Sequence, residues 1–243
     1  MDNRTEPLAD GVWRVEVGMV TNAYVVARDG LGDGDGLVLI DPGRGRSAPQ
    51  LVRSVRLLGF DPRAIGQVLL THWHADHAGA AAALAASSAR PTVHARPPDS
   101  EILAGRAGRP AAASHPLGRL RQRCGRRPPS ASSLPLEDGQ VLPGGIEVVA
   151  SPGHTVGHTA FWLPDRGTLL AGDALFGVLR TTPGPLGLSG DPAAVPATLR
   201  RLARLAPTVV ALGHGPPRRR GAAARLTDIA ERVADRRASR PPG

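Results

Sequence analysis

Three imidazoles and a carboxylate crowd into six residues of this chain: His72-Trp73-His74-Ala75-Asp76-His77. Imidazoles packed so closely repel one another once protonated, and together with a carboxylate they are typical ligands for zinc, iron or manganese. His72 and His74 stand two apart, so in extended backbone they share a face and can grip one ion. Asp76 and His77 fall where the chain turns into an alanine-rich helix and can point at a neighbouring position. Three more candidates each follow a short apolar strand and sit among glycines: His154 in Ser151-Pro152-Gly153-His154, Asp173 in Ala171-Gly172-Asp173, and His214 in Gly213-His214-Gly215. Glycine lets the backbone turn sharply there, and polar groups at strand ends that face one cleft make a site. His94, His115 and His158 read as packed or solvated residues.

These groups need elements to hold them. Gly11–Val17 alternates apolar and polar residues, as a half-buried strand does. Asn22–Arg28 and Leu37–Ile40 follow as strands, with the glycine-aspartate stretch 29–36 turning a hairpin between them. The apolar positions Leu51, Val52, Val55 and Leu58 predict a helix. Val68–Leu70 predicts a strand running into the histidine cluster, Ala78–Ala86 a helix, and Thr92–Ala95 a strand. Strands are expected at Ile146–Ser151, Thr159–Leu163, Thr168–Leu170 and Thr208–Leu212, with helices at Pro192–Leu205 and Ala222–Ala238. Residues 96–134 are rich in Arg, Pro, Gly and Ser and read as an irregular lid with a short helix at Ser100–Ala104. Strands with interspersed helices point to a layered α/β or α+β domain, and we read residues 1–243 as one domain.

Composition narrows the function. The 243 residues carry 30 basic and 21 acidic side chains for a formal charge of +9. Every basic residue is arginine. With 30 Gly and 24 Pro, this reflects the codon usage of a GC-rich sequence, since selection for an anionic partner would not exclude lysine. Aromatic residues are only 3%, too few to build a base-stacking platform, so nucleic acid is not the expected partner. The one cysteine, Cys124, excludes an internal disulfide framework. No apolar run approaches the roughly 18–20 residues of a membrane helix, and Met1–Pro7 has no apolar signal-like stretch. A soluble, cytoplasmic protein with no membrane association is expected.

The ordered motifs resemble the metallo-β-lactamase-fold superfamily, in its glyoxalase II-like branch. The resemblance rests on Thr21-Asn22-Ala23-Tyr24, Ile40-Asp41-Pro42-Gly43, Thr71–His77, Ser151–His158, Ala171–Phe176 and Gly213-His214-Gly215, and spans nearly the whole chain. Separations match as well: 82 residues from His72 to His154, 19 to Asp173 and 41 to His214. It implies a four-layer αββα sandwich with two divalent ions, most simply zinc, between the sheet edges. By that resemblance His72, His74 and His154 hold one ion, Asp76, His77 and His214 the other, and Asp173 bridges them. Asp41 would steady the loop beneath.

The implied chemistry is hydrolysis of a thioester, lactone or related ester carbonyl by a hydroxide shared between the ions, with Asp76 as the catalytic residue that orients it. The partner is then a small acyl substrate, for which an anionic group would suit the basic surface. Glyoxalase II enzymes bind glutathione through lysines and tyrosines of a C-terminal region. Here there is no lysine, Tyr24 is the one tyrosine, and 29 residues follow His214, which argues against a dedicated glutathione thioester. The alternatives are a mononuclear iron oxygenase like the persulfide dioxygenases, from which Leu175–Leu179 departs, and a phosphoesterase or nuclease. Met19–Thr21 is expected to form a flap and Phe176–Gly190 a wall of the site. Trp73 is expected to pack beneath it. Arg180 and Arg218–Arg220 read as solvated or as anion-attracting, and Cys124 as incidental.

Overall fold

The computed structural model describes residues 5–18, 21–28, 36–108, 133–178, 181–183 and 189–238. The first half alternates strand and helix. Four strands come first: β1 (Thr5–Ala9), β2 (Val12–Val17), β3 (Thr21–Ala27) and β4 (Leu37–Ile40). Helix α1 (Ala48–Leu57), β5 (Ile65–Leu69), the short helices α2 (Ala75–Ala78) and α3 (Ala81–Ala85), β6 (Thr92–Ala95) and α4 (Asp99–Leu103) follow. The second half holds β7 (Leu134–Pro135), β8 (Val141–Leu142), β9 (Ile146–Ala150), β10 (Thr159–Leu163), β11 (Thr168–Leu170), β12 (Leu175–Phe176) and β13 (Thr182–Pro183). Helix α5 (Val195–Arg204), β14 (Val209–Ala211) and helix α6 (Ala222–Ala238) close it.

Strands β1 to β7 form one sheet in chain order, and β14-β11-β10-β9-β8 form a second. The first is antiparallel up to β4 and parallel from there to β7. In the second, β11 and β14 are parallel.

Side chains alternate across each strand, and this sorts the apolar residues into three layers. Tyr24, Val26, Val38, Ile40 and Leu69 of the first sheet meet Val148, Phe161, Leu163 and Leu170 of the second. The opposite face of the first sheet, with Val15, Val25, Leu37 and Leu39, packs on Leu51, Val55, Leu84 and Ile102 of its helices. Val149, Leu169 and Val210 on the far face of the second sheet pack on Leu199, Leu202, Leu226 and Ile229 of α5 and α6. The result is helix, sheet, sheet, helix, as expected. Burying a leucine such as Leu199, with no exposed surface, contributes about 1.5–3 kcal/mol.

Two expectations need correction. The single helix over Ala78–Ala86 is two pieces, α2 and α3, parted at Gly79. A Cβ on Gly79 would stand 3.0 Å from both Arg44 Cα and Gly45 N. The chain bends there so that the loop after Asp41 can pack against it: Gly43 N–H donates to His77 O (2.9 Å) and Ala80 N–H to Gly43 O (2.9 Å). The segment 96–134, expected to be irregular but for a short helix at Ser100–Ala104, holds that helix as α4 and is strand at its end. In α4, Asp99, Ser100, Ile102 and Leu103 are buried, and Leu134 and Pro135 pair with β6. Residues 109–132, with His115 and Cys124, lie outside those described, as do 29–35, Met19, Val20, and residues 179–180 and 184–188 of the expected wall, Arg180 among them.

Candidate metal centre

Both sheets aim strand ends at one point. In the first, β4 and β5 run parallel, so their carboxyl ends deliver Asp41 and the segment Thr71–His77 side by side. After β5 the chain bends at Thr71 and Trp73, is extended at His74 (φ −63°, ψ 143°) and then enters α2. This stretch puts the rings of His72 and His74 on one side, centroids 4.6 Å apart. The helical turn then presents Asp76 and His77, and His77 N–H closes it on His74 O (2.9 Å).

The second sheet supplies the rest. His154 sits in the loop between β9 and β10, Asp173 follows β11, and His214 follows β14, the parallel neighbour of β11. Two glycines make the approach possible. Gly172 takes a left-handed φ of +50°. A Cβ on Gly213 would stand 2.0 Å from Asp173 Oδ1 and 2.9 Å from His77 Cε1, so that position admits no side chain.

All seven residues picked out by spacing therefore converge. His72, His74 and His154 offer ligand atoms within 4.8 Å of one another, and so do Asp76, His77 and His214. Asp173 lies between the sets. Its Oδ1 is 3.3 Å from His77 Nε2, and its Oδ2 is 3.4 Å from His154 Nε2 and from His214 Nε2 and 4.0 Å from His72 Nε2. His154 Nε2 and His74 Nδ1 face each other at 2.9 Å, and His77 Nε2 and His214 Nε2 at 3.2 Å. Asp76 Oδ2 reaches His214 Nε2 at 3.6 Å.

This arrangement fits divalent ions. His72 Nε2 and both Asp173 carboxylate oxygens are buried and make no hydrogen bond, which is costly for groups that have no other use. Atoms that share an ion at about 2.0–2.2 Å stand roughly 3–4 Å from one another, as these do. Burial, reinforced by His77, His74 and His154, holds His72 well below the usual imidazole range, leaving a lone pair to offer. Burial opposes charge on Asp173, but His77, His214 and His154 outweigh it and hold the carboxyl well below its ordinary range. Burial likewise opposes charge on His77, which Asp173 and Asp41 overcome, raising it well above the usual imidazole value.

Behind these groups stands a set of bonds that fix them. Asp41 adopts a left-handed φ of 51°, a strained state for a residue with a Cβ. Its carboxylate explains the tolerance. Oδ1 accepts from Thr71 N–H (2.8 Å), and Oδ2 accepts from Thr71 Oγ1 (2.6 Å) and takes His77 Nδ1 (2.9 Å). With its oxygens so committed, Asp41 orients His77 rather than holding an ion.

His158, read from sequence as merely packed or solvated, proves to be a positioning residue. It is fully buried. Its Nε2 accepts Asp173 N–H (3.2 Å), which leaves the proton on Nδ1 to be donated to Ser151 Oγ (2.8 Å). Burial lowers it to about 4, so it stays neutral. The spacing from Ser151 through His154 to His158 was the available signal.

Asn22 and Tyr24 bind the other end of the site. Asn22 Nδ2 donates to Leu212 O (2.8 Å) and Gly215 O (2.6 Å), and Tyr24 Oη donates to Leu212 O. Together they clamp the loop that bears His214. No sequence signal pointed to Asp99. Its buried carboxylate accepts Trp73 N–H (3.2 Å), Thr155 Oγ1 (2.6 Å) and Gly157 N–H (3.0 Å), so it ties the His72–His77 loop to the loop of His154.

The remaining expectations resolve individually. Trp73 packs into the apolar layer behind the site, as expected. His94 is buried on β6, between β5 and β7, with its ring on Thr92 Oγ1, and burial lowers it. Thr21 belongs to β3 and bridges to His214. Phe176 does form a wall, its ring stacked on His214 with centroids 5.1 Å apart and planes at 17°. Arg219 is not an anion trap, since it donates to Leu8 O and pairs with Glu6.

Comparison with known proteins agrees with this geometry. The family model described as the metallo-beta-lactamase superfamily matches residues 17–214. Thioesterase pkgB of Emericella nidulans is 32% identical over 199 residues, covering 80% of this chain and 46% of that protein. The hydroxyacylglutathione hydrolase of Rhodobacter capsulatus is 32% identical over 184 residues, covering 74% of this chain and 57% of the relative. The chain thus spans about half the length of these curated relatives. Among solved structures, TTHA1623 in a di-iron-bound form superposes with a TM-score of 0.64 at 33% identity, over 85% of this chain and 93% of that one.

Proposed function

The chain belongs to the metallo-beta-lactamase superfamily, and from that membership we propose that it is a dinuclear metal-dependent hydrolase of acyl thioesters. One observation carries the reading: a single buried carboxylate, Asp173, stands 3.3–4.0 Å from four imidazole nitrogens that belong to two ligand sets. In this reading His72, His74 and His154 would hold one ion, Asp76, His77 and His214 would hold the second, and Asp173 would serve both. Zinc suits the nitrogen-rich donors, and iron or manganese would be accepted by the same set. Two divalent ions held there would supply a water acidic enough to attack a carbonyl near neutral pH and would polarise that carbonyl.

The protein's own groups do the rest. Asp76 is the catalytic residue. Burial works against its charge, but His77 and the other imidazoles around it lower its carboxyl below the ordinary value. It is therefore ionised and able to orient the attacking water and take its proton. Its side chain is 13% exposed while that of Asp173 is fully buried, so of the two carboxylates Asp76 is the one a substrate can meet. Phe176, stacked on His214, shields that side of the site from water. Asp41 and His158 hold His77 and Asp173 in place through uncharged or buried contacts that take no part in proton transfer.

The thioester is favoured over the lactone by the activity named for pkgB and for the hydroxyacylglutathione hydrolase. A glutathione-specific site is not, because Tyr24, the one tyrosine, spends its hydroxyl on Leu212 O. The test is metal content by inductively coupled plasma mass spectrometry alongside thiol release from a panel of acyl thioesters. About two equivalents of zinc, iron or manganese with thiol release support the proposal. One equivalent of iron with oxygen consumption on a persulfide, or release from lactones alone, overturns it.

A further inference from the structure

Arginine content says little in a chain where every basic residue is arginine, but where arginines converge is informative. Phe176 stacks on His214, and the next residue, Gly177, donates its N–H to His214 O (3.0 Å). The Gly177 carbonyl in turn accepts Arg218 Nη2 (3.3 Å), while Arg218 Nε donates to Thr181 Oγ1. Thr181 and Arg218 line one side of an open cleft of about 630 Å³, which Arg220, Arg225 and Asp228 also line. The first turn of α6 closes it with Gly221 and Ala224 and carries no acidic residue.

The charges in the cleft do not cancel. Asp228 is its one carboxylate, and it is already engaged by Arg232 outside the cleft and lies 3.8 Å from Arg225 Nη1. Arg220 makes no ion pair with any described residue. Neighbouring Arg219 is by contrast spent on Leu8 O and Glu6. Guanidinium groups converging on one cavity suit a doubly charged tetrahedral oxyanion, which accepts several of their N–H donors at once. Amides at the start of a helix favour the same charge.

We propose that this cleft binds a phosphate or pyrophosphate group on the thiol half of the substrate, and that the backbone link from Arg218 through Gly177 to His214 registers that anion against the metal centre. The inference rests on the thioester reading and adds to it the chemistry of the leaving group: a phosphorylated thiol carrier rather than a neutral or peptide thiol.

The experiment compares wild type with the double variant Arg220→Gln/Arg225→Gln, leaving Arg218 to its loop. Two butyryl thioesters serve as substrates, one of coenzyme A and one of pantetheine, which lacks the phosphates. Wild type should prefer the phosphorylated ester in kcat/KM, and the variant should lose about tenfold or more of that preference. An unchanged preference overturns the proposal. Isothermal titration of both proteins with inorganic pyrophosphate gives an independent reading, because any contact of pyrophosphate with the metals contributes equally to the two. Weaker binding by the variant supports the cleft, and equal binding overturns it. If wild type hydrolyses neither ester, the thioester reading has failed, and the titration alone still decides whether the cleft holds an anion.

Discussion

Two carboxylates flank the same imidazoles, and their surroundings assign them different work. Asp173 is fully buried and touches nitrogens from both ligand sets, so its loss should dismantle the centre. Asp76 lies 3.6 Å from His214 Nε2 and keeps part of its surface open. Its loss should leave the set of His72, His74 and His154 intact. Asp76→Ala is therefore expected to lower kcat by about 10²–10⁴ while at least one metal equivalent remains bound. Parallel kinetics and metal analysis check this, and a fully active variant would remove Asp76 from the mechanism. These residues were legible in the sequence because the chemistry is local: imidazoles at positions 72, 74 and 77 declare themselves by spacing alone.

What holds the residues in place is carried by elements distant in the chain, and of that set Asp41 alone was expected to steady the site. Asn22 reaches a carbonyl 190 positions away, and Asp99 reaches Gly157 across 58. No periodicity encodes such a bond. Short strands escaped for a related reason. β7, β8, β12 and β13 have two residues each, too few to show alternation, and β1 contains Pro7 and only one buried side chain, Leu8. The longer strands and helices, with alternation or a 3.6-residue stripe to read, appeared where expected. Asp99, on α4, gives this scale its test. Burial pushes its carboxyl up to about 6 from an ordinary 3.8, against the bonds from Thr155, Trp73 and Gly157. Between those values the folded protein keeps a proton that the unfolded chain has released. Raising the pH through that window therefore disfavours the fold, by roughly 2–3 kcal/mol in all. Asp99→Asn lacks this titration. Urea unfolding at pH 4, 5 and 6 should show the stability of wild type falling relative to the variant as pH rises, and parallel curves would mean that Asp99 is not held protonated.

At the scale of the molecule, the centre is a joint between two sheets. His72, His74, Asp76 and His77 come from the first sheet, and His154, Asp173 and His214 from the second, so ions held by both must resist their separation. Among the described residues, polar bonds share that work near the site: Asn22 and Tyr24 donate to Leu212 O, and Asp99 accepts from Thr155 and Gly157. Thr159 N–H donates to Thr71 O (2.8 Å) and Asn22 N–H to Gly213 O (2.9 Å), while the layer between the sheets is apolar and has no directional preference. A ligand that binds only the folded state at a hundred times its Kd stabilises by about 2.7 kcal/mol. In a domain of this size each kcal/mol moves the Tm by about 2–4 °C. Chelation should accordingly lower the Tm by about 5–11 °C, reversibly on return of metal. The same treatment of Asp173→Ala, whose sets have lost their shared carboxylate, should move the Tm far less. Equal shifts in the two proteins would show that the ions stabilise one sheet alone, and the joint between the sheets would then rest on its apolar layer.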